Sequence, residues 1–194
     1  MRLLKSKILG ILLISLLFKP LWLFNNQNLG QPADDMYHWL HSATIAFDFD
    51  FDYKSDYKIE NGTFNQETNV PSSVPGAGYL SAPFVFLFSL LDKLFINSEN
   101  FSRTNPVGSF AYLGFFFAGV IYTYLGFYFL HKITKKYNQK SLNLILVCGL
   151  LSSLVHFVTT RFLMPHAIEF FIASCILYIF EKNNEKSLGN MEIT

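Results

Sequence analysis

The stretch VGSFAYLGFFFAGVIYTYLGFYFL, residues 107–130, decides how this chain is read. It holds no charged side chain and matches the ~20 apolar residues, roughly 17 to 25, that a membrane-crossing helix needs. Directly after it come Lys132, Lys135, Lys136 and Lys140, with no acid among them. Basic loops stay on the cytoplasmic side, so the run delivers its carboxyl end to the cytoplasm.

Three further blocks read as spans: residues 8–24, 142–160 and 165–180. The first sits behind Arg2, Lys5 and Lys7, which put the amino terminus inside. No small-x-small cleavage site follows it, and Lys19-Pro20 interrupts its end. It therefore reads as an uncleaved anchor rather than a signal peptide, with Lys19 snorkelling outward. A fifth block, 79–91, is short before Asp92 and Lys93 stop it and suits an interfacial or re-entrant helix. Laid on the surface, it lets residues 107–130 run inward and keeps the lysine loop inside. The expected fold is an all-α polytopic membrane protein. Four transmembrane helices, the interfacial helix and a long outer loop over 25–106 make one module over 1–181. Residues 182–194 form a polar cytoplasmic tail.

Composition agrees. Hydrophobic residues make up 51% of the 194, with 22 Phe and 10 Tyr, and only 15% are charged, against about 25% in soluble domains. A net charge of +1 and the lack of a basic aromatic patch exclude a nucleic-acid partner. Cys148 and Cys175 lie inside apolar blocks, which speaks against a disulfide framework or a thiolate metal site.

The acids gather between residues 25 and 78, where eight carboxylates face only Lys54 and Lys58. Asp34 and Asp35 open this stretch ahead of Met36, Tyr37, Trp39 and Leu40. Asp34 suits the N-cap of a helix starting near Asp35, where a carboxylate also gains from the helix dipole. The same acids, with His38 and His41 one turn on, form an Asp-Asp-x-x-His set able to hold a divalent cation. Residues 47–53 alternate aromatic and Asp. An extended strand there points its acids one way and its aromatics the other. It is either a half-buried segment laid on the protein or a ledge for a cation or a sugar. Deeper in the spans, His156, His166 and Glu169 are ionisable groups at membrane depth, where function is the default expectation. His166 and Glu169 share a helix face. Glu169 either pairs with Arg161 or His156 inside the bundle or serves a site. By topology Arg161, His166 and Glu169 approach the outer surface that carries Asp34 and Asp35.

Three stretches in this order carry a resemblance: residues 33–37 with 47–53, residues 75–84, and residues 160–171. Together with the anchor and the spans, they resemble the GT-C class of polyprenyl-phosphate-sugar-dependent glycosyltransferases, closest to proteins similar to protein O-mannosyltransferases and lipid A aminoarabinose transferases. The resemblance implies an enzyme of a bacterial cytoplasmic membrane. It would transfer a sugar on the outer face from a polyprenyl-phosphate carrier to an acceptor. Asp34, with Asp35 as neighbour or substitute, takes the role of general base or metal ligand. The cofactor implied is a divalent cation, Mg²⁺ or Mn²⁺, on Asp34, Asp35 and His38. Arg161 and Arg103 would hold the carrier phosphate, and His166 or Glu169 would stand at the second outer acidic position. Such enzymes have more spans than the four read here. The chain is thus expected to supply an amino-terminal part, alone or with a second polytopic subunit. A non-catalytic integral membrane subunit of an envelope complex is the alternative.

Overall fold

The computed structural model describes residues 33–53, 71, 73–95, 106, 108–137, 145, 147–149 and 151–191. They are mainly helical, without a β-strand among them. The helices are α1 (Ala33–Ala43), α2 (Gly76–Phe95), α3 (Phe110–Tyr137), α4 (Leu154–Thr159) and α5 (His166–Met191). Two of them, α2 and α3, are long and apolar enough to cross a membrane. The expected span at 8–24 lies outside the described residues, as do positions 142–144, 146 and 150 of the one expected at 142–160.

Helix α3 is the axis. Its two flanking partners are α2, which runs antiparallel to it, and α5, which runs parallel. The register with α2 follows from Phe95 on Phe110 at one end and from Phe88 and Phe84 on Phe117 further along. At the other end the Tyr122 hydroxyl donates to the Leu80 carbonyl at 3.1 Å. Gly114 makes this crossing close: a Cβ there would come within 2.6 Å of the Phe84 carbonyl oxygen. The register with α5 advances the same way along both chains, from Gly119 beside Ala167, through Phe127 on Phe170, to Tyr137 bonded to Glu181.

The block expected to lie at the interface over 79–91 is longer than that. Helix α2 has 20 residues and takes in Asp92 and Lys93. Asp92 fails to stop the helix because its charge has a partner that the local sequence does not show. The carboxylate accepts the backbone N–H groups of Phe110 and Ala111, both at 2.7 Å, across the turn between the two helices. Those are orphan donors of the first turn of α3. Ser109 completes the cap by accepting from the Tyr112 amide at 3.1 Å.

Residues 142–160 are not one described helix. At Ser152 the hydroxyl donates to the Gly149 carbonyl at 2.7 Å and accepts from the Leu154 amide at 3.2 Å. A serine that takes local backbone partners competes with the helical ladder, and α4 starts afresh beyond it. The expected span at 165–180 is the first part of the 26-residue α5.

The expected strand at 47–53 is also replaced. After α1 the chain continues as a π-helical turn, Thr44–Asp48, and then breaks at Phe49, whose φ of 59° is left-handed. A single extended segment with no partner strand leaves its backbone groups unpaired. Here the Phe49 amide instead donates to the Ile45 carbonyl at 3.2 Å. Asp50 accepts from the Thr44 hydroxyl at 3.1 Å and from the Asp52 amide at 3.0 Å. The aromatics therefore do not share one face: Phe49 and Phe51 are exposed, while Tyr53 is buried.

The core gathers where α1 meets α2, α3 and the turn before α5. Trp39 is wholly enclosed and packs on Tyr112 and Phe115. Phe162 packs in turn on Tyr112 and Phe116.

Candidate functional site

Asp35 stands in the first turn of α1, and Arg161 in the turn that leads to α5. The guanidinium Nη2 of Arg161 donates to Asp35 Oδ1 at 3.0 Å, joining residues 126 positions apart. The pair sits above the aromatic floor of Trp39, Tyr112 and Phe162. Its exposure is uneven: the Arg161 side chain is 34% exposed and that of Asp35 13%. A carboxylate set into protein with a cation reaching in from the rim is held by charge and hydrogen bond together. The guanidinium carries five N–H donors, and one of them holds Asp35.

His166 and Glu169, expected on one face, are in contact. His166 Nδ1 and Glu169 Oε2 are 2.9 Å apart on the exposed first turn of α5. The imidazole also stacks edge-on against Phe157 of α4, 4.1 Å between ring centres. The ion pair weighed between Glu169 and Arg161 or His156 is thus made with His166 instead. Asp34 is within α1 rather than ahead of it as an N-cap, and Arg103 lies outside the described residues.

His38 is buried one turn beyond Asp35. Among the described residues no group of three or more His, Cys, Asp or Glu side chains could hold a metal ion. Arg161 already occupies Asp35 Oδ1.

No family model, curated protein or solved structure matches this chain.

A second polar cluster lies at the carboxyl end of α1. His41 is 1% exposed. Its Nε2 is 3.0 Å from the Ser73 carbonyl, which can only accept, so Nε2 carries the proton. In the neutral ring Nδ1 then accepts from the Tyr53 hydroxyl at 2.7 Å, and the Tyr79 hydroxyl donates to Tyr53 at 3.1 Å. Burial pushes the His41 imidazole below its ordinary 6.5, an effect opposed in part by the bond to Ser73. Gly78 allows this packing: a Cβ would come within 2.5 Å of the His41 Cβ and 2.7 Å of the His38 carbonyl oxygen.

Residue-by-residue reading brought Asp35, Arg161, His166 and Glu169 toward one end of the bundle, and the structure joins them as two pairs. It missed His41, Tyr53 and Tyr79 as a unit, and Asp92 as a cap. Pro106-x-x-Ser109 ahead of an apolar run marks the start of α3 in the sequence, but nothing local identifies its second capping group.

Proposed function

We propose that this chain forms part of a membrane enzyme that transfers a sugar from a polyprenyl-phosphate carrier to an acceptor hydroxyl, with Asp35 and Arg161 at the reacting end. The contact that supports this reading is their ion pair. It joins two of the stretches that carry the family resemblance, residues 33–37 and 160–171. Sidedness agrees as well. Arg161 and Asp35 lie near Tyr112, at the amino end of α3, while Lys132, Lys135 and Lys136 lie at its other end. With the lysines in the cytoplasm of a bacterial inner membrane, the pair faces outward.

In the proposed step the acceptor oxygen bonds to the anomeric carbon as the bond from that carbon to the carrier phosphate breaks. Asp35 takes the acceptor proton. Arg161 swings from Asp35 to the phosphate and balances the charge of the departing polyprenyl phosphate. Asp34 is the neighbour able to substitute as base.

The test is transfer from a polyprenyl-phosphate sugar by the full chain in membranes, with and without Mg²⁺ or Mn²⁺. Loss of a general base costs about 10²–10⁴-fold, so Asp35→Asn should abolish measurable transfer. Arg161→Lys keeps the charge but loses the fork and should raise the donor requirement. If Asp34→Asn is the inactive variant and Asp35→Asn is not, the base moves one residue. Undiminished transfer in both variants rules out the assigned chemistry, leaving the subunit without catalysis as the reading.

A further inference from the structure

The segment after the π-turn lies along the first half of α2, from Tyr79 in its opening turn to Phe86 at its middle. Phe49 packs on Phe86 and Phe51 on Tyr79, both with ring centres 5.4 Å apart. Asp50 and Asp52, which flank Phe51, are exposed. Helix α2 has 20 residues, about 30 Å at 1.5 Å per residue, which is the thickness of the hydrocarbon core. A helix with no length to spare carries Tyr79 just inside one boundary of that core and Phe86 near its middle, and α2 is packed along α3 over its length, so the two cross together.

Two carboxylates and an irregular backbone then sit at hydrocarbon depth. Ionised groups there line water-filled cavities or meet protein, and non-helical backbone is not found facing lipid. The adjoining flank of α2 differs. Leu87, Leu90 and Leu94 are exposed along one stripe, at 57%, 39% and 74%, with no charge among them, as acyl chains require.

We propose that the face of α2 carrying residues 49–53 opens onto a hydrated crevice, which admits water and small hydrophilic solutes to the depth of Tyr79–Phe86, while the leucine stripe beside it meets lipid. This rests on the membrane reading above. The crevice begins beside the Tyr53 and Tyr79 hydroxyls at the amino end of α2 and reaches Phe86, so the polar cluster around His41 stands at its mouth.

The experiment uses single-cysteine variants of the full chain on a Cys148→Ser, Cys175→Ser background, in membranes of both orientations, with a charged maleimide that does not cross bilayers. Thiolates form only in water, so Asp52→Cys and Phe51→Cys should react roughly tenfold or more faster than Leu87→Cys. The two variants guard against misfolding of either. Equal, slow labelling of all three positions in membranes that resist alkaline carbonate means the face is sealed, and the crevice is wrong. Release of the protein by carbonate overturns the membrane reading itself, and the crevice with it.

Discussion

Asp92 and Asp35 are both carboxylates drawn into the protein near the amino end of α3, and each is satisfied by a different kind of partner. Asp92 meets two backbone amides whose positions are set by the first turn of α3. Asp35 meets one guanidinium at the end of a long side chain that is one-third exposed. Backbone donors of a helix cannot be exchanged without unwinding it. A rim arginine can leave one anion for another. The contrast makes Asp92 a structural cap, and the role proposed for Asp35 relies on it.

The largest expected effect tests the first half of that contrast. Asp92→Ala leaves two enclosed amides without acceptors and should cost about 2–4 kcal/mol, since a lost cap and an unsatisfied buried donor each cost roughly 1–3. Thermal unfolding in detergent would show it; a loss no greater than that of Asp35→Ala would erase the distinction. Next comes Gly78→Ala, which drives a methyl into the backbone of α1. Overpacking of this kind costs about 1–3 kcal/mol, and the displaced α1 should carry Asp35 away from Arg161. Proteolysis near residues 33–43 would register the shift. Asp35→Asn itself should cost the fold no more than about 1 kcal/mol, because a partly exposed pair is screened by solvent. Substantial unfolding of that variant would make Asp35 structural, like Asp92.

The smallest effect concerns pH. His41 has a folded pKa below its unfolded 6.5, so the unfolded chain takes up its proton first. Stability on this account is held above 6.5 and declines as pH falls through the lower folded value. His41→Gln should flatten that decline; an unchanged acid profile would mean that other groups govern it.

Much of the architecture was legible, and for a physical reason. An uninterrupted apolar run such as 107–130 has few alternatives to a buried or lipid-bound helix, so α3 was expected there, although it runs seven residues further, to Tyr137. The contact between Arg161 and Asp35 agrees with the expectation that both approach one surface, while only two of the helices behind it, α2 and α3, are long and apolar enough to cross a membrane. What failed were inferences in which a residue's partner lies far along the chain. Asp92 read as a stop signal because its acceptors' partners are 18 and 19 positions away. Residues 47–53 read as a strand because a period of two is a true pattern, yet no second strand is present among the described residues to use it. His41 read as a companion of the acids on α1 and Tyr53 as one aromatic of the 47–53 alternation, whereas one ring holds both the Tyr53 hydroxyl and a carbonyl 32 positions on.

That last contact has a practical side. One imidazole grips Tyr53 with one nitrogen and Ser73 with the other, so positions 53 and 73 meet within the width of a single ring. The entropy of joining two points of a chain grows slowly with the sequence between them, by about 0.6 kcal/mol for each doubling. A reporter or an affinity handle inserted between positions 53 and 73 should therefore leave the bundle folded as long as His41 keeps both bonds.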